Sequence, residues 1–134
     1  MQYEINRIML HKLIKPTESE LEILRFLWQN NEATVRAVHE ELAKTKGAGY
    51  TTTLKLMQIM FEKRLVVRND SSKIHIYKAN VSQENTQQQF LPKFIDTLFS
   101  GSSSQLVMQT LGTHTPSAAE IDEIQLLLNT LKKK

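Results

Sequence analysis

The sequence predicts a mainly α protein with a small β-ribbon, made of an N-terminal domain and a helical C-terminal domain. Three stretches before residue 65 repeat apolar residues at the spacing of a helix face. Two short strand-like runs around a polar turn follow them, and helical spacing then resumes. Three helices followed directly by a two-stranded ribbon is the order of a winged helix-turn-helix domain, which we expect over residues 1–80.

The first helix is expected to begin after Thr17, which can cap it while Glu20 completes a capping box. Its apolar positions at helical spacing are Leu21, Leu24, Leu27 and Trp28. We expect Trp28 to lie in the core rather than in a binding site. We expect residues 1–15 to form an N-terminal extension that adds a small strand or helix, the alternative being that translation starts at Met9.

The second helix is expected over Val35 to Lys44, with Thr34 as its N-cap. Its inward positions are Val35, Val38 and Leu42. Arg36 and His39 lie on its polar side and are candidate phosphate contacts, although a solvated helix face explains them equally well or better.

The third helix, within Tyr50–Arg64, has one apolar and one polar side, and we expect Thr51 to cap it. At about 100° per residue its apolar side chains share one arc, namely Leu54, Leu56, Met57, Met60 and Phe61. The polar side carries Thr51, Thr52, Lys55, Gln58 and Glu62. Hydroxyl, amide and ammonium groups bind phosphates and base edges. An ordinary surface helix shows the same pattern, so the helix alone does not distinguish the two interpretations. The ribbon that follows it favours a DNA-binding helix.

The ribbon is expected from two runs, Leu65–Asn69 and Ile74–Lys78, around a polar turn. Ile74 and Ile76 alternate with His75 and Tyr77, which predicts that the isoleucines face the covered side. The tip carries Lys73, flanked by further basic residues at Arg68, His75 and Lys78. We expect this tip to lie along a phosphate backbone, the alternative being a solvated turn.

Charge is distributed unevenly along the 134 residues, whose net charge is +3. Residues 1–80 hold 13 Lys and Arg against 9 Asp and Glu, and residues 81–134 hold 4 against 5. A basic N-terminal domain suits a polyanion such as double-stranded DNA. No apolar run approaches the ~20 residues of a membrane span and no signal peptide is visible, so we expect a cytoplasmic protein without membrane attachment.

Catalytic, metal and cofactor sites are not expected. The chain has no cysteine, which excludes disulfides, thiolate metal sites and a cysteine nucleophile. The adjacent residues His39, Glu40 and Glu41 point in different directions on a helix and cannot converge on one ion. No glycine-rich phosphate loop or nucleophile motif appears.

Residues 81–134 are expected to form a helical dimerisation domain. A helix around Phe90 and Phe94 contains Pro92, where it should kink or begin again. A short helix carries Leu106, Val107 and Leu111, and a last helix begins at Ser117, with Glu120 in a capping box. So much apolar surface on so few residues favours a two-fold homodimer, although packing against the N-terminal domain is an alternative. The expected interface residues are Phe90, Phe94, Leu98, Phe99, Leu106, Ile121, Ile124, Leu128 and Leu131.

Several segments carry a family resemblance: PTESELEILRFLW, ATVRAVHEEL, YTTTLKLMQIMFEKRLV and, more loosely, FIDTLFSGSSSQLV. They resemble the penicillinase repressors, a family that includes β-lactamase, methicillin-resistance and copper-responsive repressors. The similarity covers about residues 16–131. It implies a winged-helix DNA-binding domain joined to a dimerisation domain, acting as a repressor at a palindromic operator.

Matching positions imply that the third helix enters the major groove, with Thr52, Lys55 and Gln58 as its main contacts and the Lys73 tip as the wing. Lysine suits guanine and glutamine suits adenine. The full set of expected DNA-binding residues is Thr51, Thr52, Lys55, Gln58, Arg36, Lys63, Arg64, Arg68 and Lys73. The alternative is a winged-helix adaptor that binds another protein and no DNA.

Three departures from the family pattern concern function. Arg64 stands where the family usually has the glycine that turns helix into strand, so it requires a strained or altered turn or adds a phosphate contact. Gln109-Thr110 stands where the antibiotic-responsive members have the Asn-Phe pair at which they are cleaved, a departure that argues against release by that cleavage. The absence of cysteine excludes copper sensing through cysteine pairs. The sequence does not identify an upstream sensor protein.

Overall fold

The computed structural model describes residues 15–134. Mainly helical architecture with a small antiparallel sheet is confirmed. The elements are α1 (Glu18–Asn30), β1 (Glu32–Ala33), α2 (Val35–Leu42), α3 (Tyr50–Glu62), β2 (Val66–Asn69), β3 (Ile76–Ala79), α4 (Gln83–Leu98), α5 (Ser103–Thr113) and α6 (Ala118–Lys132). The expected N-terminal extension lies outside the described residues except for Lys15.

Helices α1 and α2 begin where their capping residues predict. The Glu20 amide donates to Thr17 Oγ1 at 3.2 Å and the Thr17 amide donates to Glu20 Oε1 at 2.8 Å, which completes the expected capping box. Thr34 Oγ1 accepts from the Ala37 amide at 3.1 Å. Helix α2 ends at Leu42, two residues before the expected Lys44, because the chain turns over residues 43–45.

The cap expected at Thr51 is wrong, because α3 begins one residue before it. Gly49 is the N-cap, with extended backbone at φ −79° and ψ 169° and no side-chain capping bond. Its carbonyl accepts from the Thr52 and Thr53 amides at 3.1 and 3.3 Å. Thr51 therefore lies inside the first turn, with its side chain exposed.

The sheet has three antiparallel strands in the order β1-β3-β2. The two-residue strand β1 was not expected, and it places Ala33 opposite Tyr77, which lies opposite Arg68 on its other side. The predicted covered side of the ribbon is wrong: Tyr77 is 1% exposed and Ile74 is 65% exposed. Because β3 begins at Ile76, Ile74 lies in the turn, and Tyr77 is the residue that points inwards.

One core joins helices α1 to α3 to the sheet. Its buried apolar residues are Ile23, Leu24, Leu27, Ala33, Val35, Val38, Met57, Met60, Leu65, Val66 and Tyr77. Trp28 packs against this core, as expected, and its Nε1 donates to the carbonyl of Val81 at 2.9 Å. The core thus fixes α3 between α2 and the sheet, and the polar side of α3 faces the solvent.

The described chain divides between Phe90 and Leu91 into two compact units. Helix α4 continues through Pro92 without beginning again. Ser102 caps α5, and Ser117 and Glu120 form the expected capping box of α6. Within residues 15–134, no helix is both long and apolar enough to cross a bilayer.

Candidate nucleic-acid interface

Helix α3 has an exposed polar side opposite a buried one. Thr53, Met57 and Met60 are buried in the core, and the half-buried residues between the two sides are Leu54, Leu56, Ile59 and Phe61. The exposed side carries Thr51, Thr52, Lys55, Gln58 and Glu62, as the periodicity predicts. The helix begins without an acidic residue in its first turn. An unobstructed side of this kind presents hydroxyl, ammonium and amide groups to a polar surface such as a DNA groove.

Lys55 is the only cation on that side, and it forms no ion pair with any residue from 15 to 134. Its ammonium group is therefore not neutralised within the described chain. Ile59 is half-buried, which reduces the apolar surface that α3 offers to a protein partner.

Arg36 joins this surface through an aromatic contact that the sequence did not reveal. Its Cζ lies 4.9 Å from the centroid of the Tyr50 ring, a cation–π geometry. The His39 ring meets Tyr50 edge-on at 5.7 Å, and His39 Nδ1 lies 3.2 Å from Thr53 Oγ1. These contacts connect the polar side of α2 to the beginning of α3.

Lys63 lies beyond the exposed side and has a partner inside the fold. Its Nζ donates to Glu20 Oε2 at 2.9 Å and to Oε1 at 3.2 Å. The Glu20 side chain is buried, and that of Lys63 is about one-third exposed. This ammonium group therefore neutralises a buried carboxylate, a structural task that differs from the phosphate contact expected for it.

Arg64 follows α3 with a left-handed backbone, at φ 65°. The turn is therefore strained as expected, since a residue with a Cβ disfavours this region. The side-chain Nδ2 of Asn80 donates to the Arg64 carbonyl at 2.9 Å, and the backbone amide of Asn80 donates to the Leu65 carbonyl at 2.9 Å. These two bonds hold the turn from helix to strand, while the Arg64 side chain stays exposed.

Arg68 lies in β2 of the β2–β3 wing, opposite Tyr77, and is held by three neighbours. Its Nε donates to Asp70 Oδ1 at 2.8 Å, and its Cζ lies 4.0 Å from the Phe61 ring centroid. Hydrogen bonding to Tyr77 is the main cause that raises the pKa of Arg68, and Asp70 adds to it. The Arg68 guanidinium therefore already has partners within the fold before any DNA binds.

The tip of the wing presents Lys73 as its exposed cation. Its acidic neighbour Asp70 is engaged by Arg68 and lies 3.7 Å from His75 Nδ1. The Ser71 amide donates to Asn69 Oδ1 at 2.9 Å and Ser72 Oγ donates to the Ile74 carbonyl at 2.9 Å. The turn is thus ordered by its own bonds, and Lys73 forms no ion pair with residues 15–134.

The residues expected at a dimer interface are exposed or half-buried in the single chain. Phe90, Phe99, Leu106 and Ile124 are half-buried, and the exposed members are Phe94, Leu98, Ile121, Leu128 and Leu131. Gln109 and Thr110 are exposed on α5. Within the described part of the chain, no group of three or more His, Cys, Asp or Glu side chains is arranged to hold a metal ion.

Comparison with known proteins gives a consistent result. Residues 16–130 match the penicillinase repressor family. A penicillinase repressor of Staphylococcus aureus is 21% identical over 126 residues, which cover 94% of this chain and 100% of that protein. One from Bacillus licheniformis is 19% identical over 125 residues, covering 93% and 98%. A transcriptional regulator of Mycobacterium tuberculosis named BlaI is 33% identical over 67 residues, which are 49% of each chain.

Proposed function

Because this chain belongs to the penicillinase repressor family, we propose that it is a homodimeric transcriptional repressor that binds a palindromic operator in double-stranded DNA. The proposal makes it a regulator rather than an enzyme and locates it in the cytoplasm, where promoter DNA is found. The relatives matched along almost their whole length are named repressors, which supports this role.

The observation that carries the proposal is the polar side of α3. Thr52, Lys55 and Gln58 are exposed on a helix whose opposite side is anchored by Met57 and Met60 in the core. A helix so anchored enters the major groove as one rigid element. Lys55 then reads guanine and Gln58 reads adenine, while Lys73 on the wing and Arg36 on α2 bind phosphates.

The dimer is supported by the apolar side chains of residues 91–134. On α6 the spacing of Ile121, Ile124, Leu128 and Leu131 follows one side of a helix, and three of these four are exposed in the single chain. An isolated unit of this size gains little stability from its own core. A second copy buries the same side chains by two-fold symmetry, which also gives the operator its two-fold symmetry.

A binding experiment tests the function directly. Duplexes of about 40 base pairs, long enough for two half-sites, are taken from the region upstream of the chain's own coding sequence and compared with shuffled duplexes of equal composition. The wild type is expected to bind one upstream duplex more tightly than its shuffled partner by roughly 10³-fold or more. The triple variant T52A/K55A/Q58A is expected to lose that preference while keeping its melting temperature.

The same experiment addresses the adaptor alternative. A folded, dimeric wild type that binds neither upstream nor shuffled duplexes at low salt, where non-specific attraction is strongest, contradicts the repressor proposal. The adaptor function would then be favoured, because fold alone does not determine function.

A further inference from the structure

We infer that Tyr50 positions the guanidinium of Arg36 for a phosphate of the DNA backbone, so that Tyr50 raises DNA affinity without reading a base. The inference rests on the proposed function and adds a positioning residue to it. It starts from the contact between the two side chains, in which the Arg36 Cζ atom lies 4.9 Å from the ring centroid.

The conformational freedom of the Arg36 side chain affects the affinity for DNA. Arg36 is exposed near the beginning of α2, where a long side chain samples many rotamers. Ordering such a side chain on binding reduces affinity. The Tyr50 ring restricts the guanidinium before DNA arrives. No carboxylate in residues 15–134 pairs with Arg36, so its N–H donors remain available to an anion.

The Tyr50 ring is itself supported by a neighbouring side chain. Tyr50 is 38% exposed, and its ring meets the ring of His39 in an edge-on arrangement with an interplanar angle of 84°. His39 Nδ1 lies 3.2 Å from the hydroxyl of Thr53, a side chain that is 3% exposed. The ring is therefore held through His39 to the buried side of α3, and it holds Arg36 in turn.

Tyr50 lies beside the residues that are proposed to enter the major groove. Tyr50 directly precedes Thr51 and Thr52, the first residues of the exposed side of α3. In helix-turn-helix proteins the second helix of the motif enters the major groove while the preceding one crosses the backbone. Arg36 therefore stands at the boundary between the two, where a phosphate contact fixes the register of the protein on the duplex.

The test uses the full chain and a random-sequence duplex of about 30 base pairs, because a phosphate contact is independent of sequence. Affinity is measured over a range of salt concentrations for the wild type, R36Q, Y50L, Y50F and the double variant R36Q/Y50L. Y50L keeps apolar bulk without the aromatic face, and Y50F keeps the face without the hydroxyl. R25Q, which removes an exposed arginine from α1, is the control for lost charge, and melting temperatures confirm folding.

R36Q is expected to make the negative slope of log K against log salt shallower by about 0.9 for each Arg36 in contact. This change is expected to be larger than the one caused by R25Q. Y50L is expected to weaken binding roughly two- to tenfold for each contact, whereas Y50F binds like the wild type. In the R36Q background, Y50L is expected to have no further effect.

The inference is overturned if Y50L binds like the wild type, if Y50L weakens R36Q as much as it weakens the wild type, or if Y50F is as weak as Y50L. Equal effects of R25Q and R36Q also contradict it. A wild type that binds no duplex refutes the proposed function itself, so the two failures are distinguishable.

Discussion

Lys63 Nζ lies 2.9 Å from Oε2 of Glu20, a side chain that is only 1% exposed. The other carboxylate oxygen, Oε1, accepts from the Thr17 amide at 2.8 Å. A buried carboxylate is tolerated only when it is paired and hydrogen-bonded. Glu20 therefore caps α1 and, through Lys63, connects the beginning of α1 to the end of α3.

Replacing Lys63 should destabilise the fold. In K63M the buried Glu20 carboxylate loses its cation, and we expect the free energy of unfolding to fall by about 1–3 kcal/mol. Urea denaturation followed by circular dichroism measures this change. K55M, which removes an exposed lysine that has no ion pair within residues 15–134, should stay within about 0.5 kcal/mol of the wild type. Equal stability of K63M and wild type would show that the ion pair is dispensable.

Replacing Arg64 by glycine should stabilise the fold. Glycine adopts the backbone conformation at φ 65° without strain, but it also raises the entropy of the unfolded chain. With both effects included, we expect the free energy of unfolding to rise by about 0.5–1 kcal/mol. Thermal unfolding at fixed protein concentration measures it. R64A removes the same side chain but retains a Cβ and should show no gain. A loss of stability in R64G would contradict the strain at this turn.

Gln58 and Lys73 should affect DNA binding in different ways. We expect Q58A to lose about 1–3 kcal/mol of discrimination at one base pair in each half-site. We expect K73A to weaken binding to specific and random duplexes alike and to make the negative slope of log K against log salt shallower. Both variants are measured on the preferred duplex, on its single-base variants and on a random duplex. Equal losses on all duplexes for both variants would contradict this division of roles.

A charge on the apolar side of α6 should separate the subunits. L128D introduces a carboxylate where a second copy is proposed to pack, and we expect the dimer dissociation constant to rise roughly 100-fold or more. Analytical ultracentrifugation measures it. N129D adds the same charge one residue away, at a position whose side chain accepts from Gln125 at 3.1 Å, and it should leave the dimer intact. A dimeric L128D would exclude this side of α6 as the interface.

The capping box of α6 should make stability depend on pH. Hydrogen bonds from the Ser117 backbone and side chain hold the pKa of Glu120 below its ordinary value of 4.5. Its contribution is therefore fully present above pH 4.5 and is lost as the pH falls through the lower pKa of the folded state. We expect E120Q to be less stable than the wild type at pH 7, with the difference shrinking as the pH falls below 4.5. Urea denaturation at pH 7 and at a series of lower pH values measures this, and an unchanged difference would contradict it.

The sequence predicts the elements of this fold well where periodicity and caps agree. The arc of Met57, Met60 and Phe61 against Lys55 and Gln58 is confirmed, because a single 3.6-residue period decides which side of α3 is buried. The caps at Thr17, Thr34 and Ser117 are confirmed as well, since they depend on residues three positions apart. The family prediction is also confirmed.

Features that depend on distant partners were not predictable. Alternation in the ribbon has two possible phases, and the choice of Tyr77 over Ile74 depends on where β3 begins and on the short strand β1. Lys63 appears in the sequence as one more basic residue, since its partner Glu20 lies 43 positions away. The DNA contacts and the dimer interface stay predictions, because they require a second molecule.

Trp28 is the only tryptophan of the chain, and its indole N–H is bonded to the Val81 carbonyl, two residues before α4 begins. Its emission spectrum is therefore an intrinsic optical reporter of one particular joint, where the last strand leads into α4. The emission of this single fluorophore can be measured, without any label, while DNA is titrated or the protein concentration is raised. A change in the emission would show that operator binding or subunit association alters the structure at the Trp28–Val81 contact.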